Sequence, residues 1–511
     1  MESFLLYSYI TVLLLLSVFG FHRYYTIYIY RKCKSNVPEP LKKFEELPKV
    51  CIQLPVYNES YVVERLINSV AKIRYPRELF EIQVLDDSTD ETVQIAISAC
   101  ERLRSTGINI THIRRPNRIG FKAGALEYGQ NMTDAEFIAI FDADFLPPED
   151  FLERTVDFFT DPEIGMIQAR WDHLNRDFSI LTEVQSILLD GHFMIEHTYR
   201  NRSGRFFNFN GTAGIWRKST IVDAGGWQHD TLTEDLDLSY RAQIKGWKFV
   251  YLPELTVPAE LPVEISSFKS QQFRWAKGSI QVFKKLFPAI IRSKELSSKV
   301  KMEAFFHLAA NFAYVMMVFL CLLMPLNIVI RIGHGIYEVV IFDLPVFIFA
   351  TFSVMFFYLY SEITVINETL TMKNRSKLSP ILFLPFTISV GIGLAVNNCK
   401  AVIEALVGRQ TDFIRTPKYD VSGKIECQRE VYKKVSLNKY RFTKISIVSV
   451  VELLFAIYFS WAVYFAFDKG FYFSMPFLVL FQFGFLYTSF LSLFYTPVMR
   501  LIHREHHRLV Q

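Results

Sequence analysis

Several patterns that identify a class of protein are missing from this chain of 511 residues. Its six cysteines stand without CxxC or zinc-site spacing, which indicates reduced thiols rather than disulfides or a zinc centre. The sequence contains no P-loop, no G-x-S-x-G motif, no internal repeat and no low-complexity segment. It also has no run of Lys and Arg interleaved with aromatic residues between positions 45 and 300, so nucleic acid is not an expected partner.

Apolar residues make up 51% of the chain and are unevenly distributed. Residues 45–300 have the alternating apolar and charged segments of a soluble domain. Outside this block the sequence consists largely of apolar runs long enough to cross a bilayer, for which about 20 residues are needed. We therefore expect a multi-pass integral membrane protein, with apolar runs at about 4–21, 305–331, 339–365, 380–398, 446–467 and 471–498.

The charges around these runs predict their orientation. The first run lacks the basic n-region and the A-x-A-like site of a cleavable signal peptide, and basic residues follow it. It is expected to be a signal anchor whose C-terminal side lies in the cytosol. The strongly basic residues 408–444 are also expected in the cytosol. This requires that residues 380–407, which contain Pro385, do not span the membrane but lie in its interface or form a re-entrant segment. Five spans result, with the soluble block and the tail also cytosolic; the opposite parity is the alternative.

Four short β-branched runs in the soluble block alternate with helical patterns: "KVCIQLPVYNE", "FEIQVLDDSTD", "INITHIRR" and "EFIAIFDADF". This alternation predicts a parallel α/β sheet. In such sheets ligands bind beyond the carboxyl ends of the strands. The first, second and fourth runs end in polar residues, which this topology would collect at one edge: Tyr57, Asn58, Glu59, Asp86, Asp87, Asp142 and Asp144.

The D-x-D pair Asp142 and Asp144 follows a run typical of a buried strand. Because residues i and i+2 of a strand point the same way, the two carboxylates could hold one divalent cation. Mg²⁺ takes few protein carboxylates and completes its shell with water and phosphate oxygens. A solvated turn is the alternative interpretation of the same pattern.

Two further segments allow both a local and a functional interpretation. "TEDLDLSYRAQIKGW" resembles a helix start, where Glu234 and Asp235 either complement the helix dipole or supply a general base towards a hydroxyl. "NRIGFKAGALEYG" places Lys122 at the start of another helix, where backbone N–H groups and the lysine could contact a phosphate. An ordinary loop is the alternative there.

In "QQFRW", residues Gln271, Arg274 and Trp275 share one face of a predicted amphipathic helix. One interpretation is an interfacial helix, with Trp at headgroup level and Arg facing lipid phosphates. The other is a ligand site, in which the guanidinium grips a diphosphate and the indole faces a sugar ring. The residues alone leave both open.

Taken in order, "LDDSTD", "FDADF", "TEDLD" and "QQFRW", followed by membrane spans, resemble the processive inverting glycosyltransferases of family 2. Within that family the chain resembles the cellulose synthase superfamily, and it looks closest to plant-type mannan and glucomannan synthases and related β-glucan synthases. The resemblance implies an α/β GT-A domain, Rossmann-like with a mostly parallel sheet, cytosolic and embedded between transmembrane helices.

The resemblance also implies roles on the donor side of the site. Tyr57, Glu59 and Asp87 would line the nucleoside pocket, and Lys122 would lie near the diphosphate. Asp142 would face the nucleotide.

The metal, the base and the acceptor end follow in the same way. Asp144 would bind a divalent cation, Mg²⁺ or Mn²⁺, together with Asp142. Asp235 matches the general base. The Q-x-x-R-W motif, here Gln271, Arg274 and Trp275, would hold the diphosphate and the acceptor end of the polymer.

Residues 411–418, "TDFIRTPK", resemble the gating loop of cellulose synthases. Phe413, Thr416 and Lys418 match its F-x-V-T-x-K pattern, whereas Arg415 stands where the pattern has Val.

Three domains are expected: a signal anchor and linker at 1–44, a GT-A domain at 45–302 that ends in amphipathic interface helices, and a membrane domain at 303–511. The expected activity is hexosyl transfer from a nucleotide sugar, GDP-mannose or UDP-glucose, to a growing β-linked polysaccharide that is extruded through the protein's own channel. The alternatives are a single-sugar transferase acting on a ceramide, diacylglycerol or polyprenyl phosphate, and a catalytically silent receptor. The membrane would be a plasma, inner or Golgi membrane.

Overall fold

The soluble block is built on a mixed sheet in which seven strands, counted over the described residues, lie in the order β3-β2-β1-β4-β6-β5-β7. The computed structural model of the protein describes residues 2–330, 348–368, 376, 378–411, 415–421, 434 and 446–494. The strands are β1 (Val50–Val56), β2 (Phe80–Asp86), β3 (Ile110–Ile113), β4 (Phe137–Ile140), β5 (Ile164–His173), β6 (Gly214–Arg217) and β7 (Lys248–Ala259).

The pairing of the strands confirms the predicted, mostly parallel sheet. Strands β1, β2, β3 and β4 are parallel neighbours, and β5 is parallel to β7. Only β6 among the strands described runs antiparallel, against both β4 and β5. The four strands predicted from sequence are β1 to β4, so their carboxyl ends share one edge.

Apolar side chains cover the sheet on both faces. Along β4 the four side chains are buried, and they alternate between two apolar clusters. Phe137 and Ala139 pack into one cluster, whereas Ile138 and Ile140 pack into the other. A strand that buries both faces has no polar position, which accounts for the continuous apolar run "FIAI".

The helices of this block lie close to their predicted positions. The patterns at about 60–73, 91–106 and 122–131 form α2 (Val63–Val70), α3 (Thr92–Ser105) and α4 (Phe121–Gln130). The remaining helices are α5 (Ile180–Asp190), α6 (Thr198–Arg202), α7 (Lys218–Asp223), α8 (Glu234–Ile244), α9 (Ile265–Arg292) and α10 (Ser298–Ala309), and a π-helical turn (Gly191–His197) joins α5 to α6.

The other described helices, most of them long and apolar, lie outside the soluble block. They are α1 (Glu2–Cys33), α11 (Phe312–Ile330), α12 (Ser353–Glu368), α13 (Ser379–Gly393), α14 (Ala395–Leu406), α15 (Ile447–Asp468) and α16 (Met475–Leu493). Within the described ranges, five helices are long and apolar enough to cross a membrane, and the pair α13–α14, bent by 40°, would make a sixth if it is one span. The start of the predicted span 339–365, most of the basic loop and the C-terminal tail lie outside those ranges.

Two of the predicted apolar runs differ in extent from the helices that contain them. The first run ends at Phe21, but α1 continues to Cys33 because no Gly or Pro follows until Pro38. The run 305–331 is divided between α10 and α11 at residues 310–311. Five described cysteines are free, which agrees with the predicted reduced thiols, and all five are buried. Cys427 lies outside the described residues.

Helix α9 connects the soluble block to the apolar helices through buried ion pairs. The Lys269 ammonium lies 2.7 Å from a Glu452 carboxylate oxygen of α15. Lys277 makes the corresponding contact with Glu404 of α14, at 3.0 Å. Because breaking one partner of a buried pair leaves an unpaired charge, these contacts hold α9 in a defined position.

Candidate active site

A cavity of about 220 Å³ lies beyond the carboxyl ends of β1, β2 and β4. Loops after these strands, the start of α8 and one face of α9 form its walls. Twelve of the thirteen predicted site residues line it: Tyr57, Glu59, Asp87, Lys122, Asp142, Asp144, Asp235, Gln271, Arg274, Trp275, Thr416 and Lys418. The thirteenth, Phe413, lies outside the described residues.

Two arginines, Arg115 and Arg118, lie at the predicted nucleoside end of the cavity. They were not predicted as site residues. Arg115 holds Asp87 in a two-bond fork, with Nε donating to Oδ1 at 2.8 Å and Nη2 to Oδ2 at 2.6 Å. The Arg118 guanidinium lies 3.4 Å from the ring centroid of Tyr57. A cation over an aromatic face is attracted by the ring quadrupole, so Tyr57 is held in one orientation.

Glu59 is paired with Arg415, from a segment about 350 positions further along the chain. The pair is again a fork, with Nε to Oε1 and Nη2 to Oε2 both at 2.8 Å. Burial raises the pKa of Glu59 to about 7, although Arg415 acts in the opposite direction. The local sequence of Glu59 gives no signal for this partner.

The D-x-D carboxylates enter the cavity directly after β4, and an ammonium group accompanies each. Lys122 donates to Asp142, and Lys418 lies 2.6 Å from Asp144. Burial raises the pKa of Asp142, while Lys122 opposes the shift. Both carboxylates therefore face a position that attracts positive charge.

Oxygen ligands of this kind suit a divalent cation. Asp142 and Asp144 line one cavity, and Mg²⁺ or Mn²⁺ accepts one or two carboxylates when water and phosphate oxygens complete the shell. Among the described residues, no cluster of three or more His, Cys, Asp or Glu forms a cage that could bind a metal by itself. The residues thus fit a cation that is shared with a phosphate-bearing ligand.

The two carboxylate oxygens of Asp235 have different surroundings. One of them, Oδ1, accepts the N–H of the next residue, Leu236, at 2.8 Å. The other oxygen, Oδ2, faces Gly211, where a Cβ would lie 3.0 Å from it. Burial and then the neighbouring Glu234 raise the pKa of Asp235 to about 7. A carboxyl with that pKa can exchange a proton near neutral pH.

The Q-x-x-R-W face of α9 is brought to this carboxylate by close helix packing. A Cβ at Gly278 would lie 2.5 Å from Thr233, so only a glycine lets α9 approach the start of α8 so closely. Gln281 of α9 also accepts the Leu232 N–H at 2.9 Å. The helix therefore packs against the start of α8 and the loop before it, and the Q-x-x-R-W side chains line the cavity.

Two indoles in the cavity wall lie close together, with their ring planes inclined at 54°. Trp275 and Trp171, whose ring centroids are 6.5 Å apart, both line it. Trp171 lies at the carboxyl end of β5, a strand that was not predicted from sequence. Arg274, beside Trp275, donates to the hydroxyl of Thr416 at 3.2 Å, and burial lowers the pKa of its guanidinium.

Comparison with known families and proteins identifies relatives of this chain. Residues 48–278 match the family model "Glycosyltransferase like family 2". A probable glucomannan 4-β-mannosyltransferase from Oryza sativa is 33% identical over 457 residues, or 87% of this chain and 82% of that protein. A glucomannan 4-β-mannosyltransferase from Arabidopsis thaliana is 41% identical over 306 residues, and this match spans 57% of both proteins.

The fold is shared with a solved mannosyltransferase from Pyrobaculum calidifontis, in complex with GDP-mannose and Mn²⁺. The TM-score is 0.50 at 18% identity, and the match covers 79% of this chain and 100% of that one. The sheet and its flanking helices therefore form a GT-A fold. On the sequence matches, the chain belongs to glycosyltransferase family 2, in its cellulose synthase-like branch.

Proposed function

We propose that this protein is an inverting hexosyltransferase that adds mannose from GDP-mannose to the end of a β-linked polysaccharide. One observation carries the proposal: the Asp235 carboxylate, with its pKa near 7, shares one cavity with the D-x-D pair and with the Q-x-x-R-W side chains. The choice of donor is supported by the names of the plant relatives and by the GDP-mannose complex of the archaeal mannosyltransferase.

The proposed chemistry is a single displacement. The acceptor hydroxyl attacks the anomeric carbon, and the bond from that carbon to the diphosphate oxygen breaks on the opposite face. Asp235 takes the proton of the hydroxyl as general base. Lys122 and Arg274 offset the charge of the departing diphosphate, as both line the cavity. An α-linked donor thereby gives a β-glycoside without a second nucleophilic carboxylate.

Asp142 and Asp144 would hold the divalent cation. When bound, that cation supplies further positive charge to the diphosphate. The protein's contribution is to present both carboxylates from the loop after the buried strand β4.

The acceptor would lie on the indoles, because the flat face of an aromatic ring suits the C–H face of a sugar. From this end of the cavity, polar groups continue towards the apolar helices. Asn210 lines the cavity and donates to His192 at 3.1 Å, and His192 contacts Glu196 at 3.1 Å. Arg23 of α1 lies 3.9 Å from Glu196. These contacts connect the cavity with α1, which supports extrusion of the product through the membrane domain. The cytosolic position of the GT-A domain is part of the proposal.

Separate incubation of protein-containing membranes with labelled GDP-mannose and UDP-glucose tests the proposal. We expect incorporation from GDP-mannose into material that β-mannanase degrades, and none with Asp235→Asn. Label that is extracted entirely with lipid would show single-sugar transfer to a lipid and would refute polymer synthesis. Incorporation from UDP-glucose alone would refute the choice of donor.

A further inference from the structure

A short segment between α14 and α15, Arg415–Val421, is hydrogen-bonded into the donor end of the cavity. Behind it, the carboxylate of Glu260 accepts two of its backbone N–H groups, from Tyr419 at 2.7 Å and from Val421 at 3.0 Å. Both side chains at these positions are buried. The segment thus occupies a defined place in the cavity.

The front of the segment presents Arg415 to Glu59. The guanidinium offers two adjacent, parallel N–H donors, one to each carboxylate oxygen, and its third nitrogen donates to the Asn58 carbonyl. Both side chains are largely buried, with 15% and 13% of their area exposed. A charge-assisted fork with this geometry is among the stronger hydrogen-bonding arrangements in proteins.

Three residues later, Lys418 lies against Asp144, one of the two proposed cation ligands. Its ammonium lies 2.6 Å from Asp144 and donates to the Glu260 carbonyl at 2.5 Å. With the segment in place the cavity holds about 220 Å³, whereas ligand pockets are typically about 300–1,000 Å³. A ligand that pairs with both Glu59 oxygens requires Arg415 to move, because those oxygens already accept from its guanidinium.

Movement of Arg415 would affect the two carboxylates at the nucleoside end, Asp87 and Glu59, differently. Asp87 is held by Arg115, which follows β3 in the same sheet, so this pair stays closed. Among the described side chains, only Arg415 donates hydrogen bonds to Glu59. If Arg415 moved away, Glu59 would therefore be left with two free acceptor oxygens. A ligand that replaces Arg415 is favoured when it donates to both oxygens, because a buried carboxylate without donors is destabilising.

We propose that Glu59 selects the base of the donor nucleotide, and that Arg415 is the internal group with which a guanine base competes for Glu59. This inference rests on the proposed function. Guanine presents N1–H and N2–H side by side, which is the donor pair that the Arg415 fork presents in this structure. Uracil presents one N–H between two carbonyl oxygens, and one of these would face a carboxylate oxygen. Glu59 therefore favours guanine over uracil on hydrogen-bonding grounds.

Nucleotide binding to the full-length protein tests this without any substitution. GDP, inosine diphosphate and UDP are titrated with Mg²⁺ present, at about pH 8, above the pKa of Glu59. Inosine diphosphate lacks only the exocyclic amino group, and so offers Glu59 one donor instead of two. We expect GDP to bind at least about tenfold more tightly than inosine diphosphate or UDP. Equal affinities for GDP and inosine diphosphate would overturn the proposal.

Two variants then separate selection from occlusion. Arg415→Val should tighten GDP about tenfold, because the competitor is gone, and should keep the preference over inosine diphosphate. Adding Glu59→Gln in that background should remove the preference for GDP and leave UDP binding within about twofold. The matched controls, Arg409→Val and Glu64→Gln, alter an exposed arginine and an exposed carboxylate and should bind as the unchanged protein does.

Two results would contradict the inference on the variants. Weaker GDP binding by Arg415→Val would make Arg415 a ligand contact, not a competitor. An equal loss of GDP and UDP binding on Glu59→Gln would make Glu59 structural. Neither result affects the test of the proposed function, because mannose incorporation is measured separately. Conversely, turnover of UDP-glucose alone would refute the proposed donor. The nucleotide titrations would then still decide the role of Glu59.

Discussion

The protonation of Asp235 offers the sharpest test of the site. Burial and the neighbouring Glu234 raise its pKa from 3.8 to about 7. A general base acts only when ionised, so activity is present above this pKa and is lost as pH falls through it. The perturbation is therefore a change of pH, combined with removal of the neighbouring charge by Glu234→Gln.

The size of the effect follows from the titration. One unit below the pKa, about one tenth of the Asp235 carboxyls are ionised, so kcat/KM at pH 6 should be about a tenth of its plateau value. Glu234→Gln removes a buried like charge and should move the midpoint down by roughly one unit. At pH 6 this variant should thus retain a larger share of its own plateau than the unchanged protein does.

The assay is initial-rate mannose incorporation from about pH 5 to pH 9 at saturating Mg²⁺, expressed as kcat/KM, which reports the free enzyme. Glu163→Gln is the matched control, because it removes an exposed carboxylate that pairs with Lys248 on the surface. That variant should reproduce the midpoint of the unchanged protein. A midpoint that Glu234→Gln does not move, or a low-pH limb that persists in Asp235→Asn, would show that another group controls the rate.

Three further outcomes are expected. Gly211→Ala should lower kcat with little change in nucleotide binding. The new Cβ would lie 3.0 Å from Asp235 Oδ2, and a side chain at the φ of +82° is strained by about 1–2 kcal/mol. Initial rates measure the change in kcat, and nucleotide titration measures binding. Trp275→Ala should shorten the polymer while GDP still binds, which product sizing and titration measure; unchanged chain length would contradict it. Arg274→Ala should weaken GDP binding about tenfold or more with guanosine binding unaltered, since only the diphosphate loses a partner.

The strands and helices around the site were predictable because their signals are local. The run "FIAI" is apolar at every position since both faces of β4 are covered, and the acids after it stand where a parallel sheet binds ligands. The patterns for α2, α3 and α4 likewise matched within a few residues. The order of the motifs along the chain then carried the resemblance to the family.

Other features of the site arise from long-range packing that no local pattern encodes. Strand β5 and its Trp171 were not predicted, although the indole faces Trp275. The surroundings of Asp235 could not be predicted from "TED", because Gly211, which the fold brings to its second oxygen, belongs to a different segment.

By itself, the sequence determined the parallel sheet, the acids at its carboxyl edge and the amphipathic helix that carries Arg274 and Trp275, since each depends on the period and chemistry of neighbouring residues. Only the tertiary structure decided which charges meet. Arg415 looked like a departure from a familiar pattern, yet it lies on Glu59, and Lys418 lies on Asp144. Both contacts join residues more than two hundred positions apart, where distance in space bears no relation to distance along the chain.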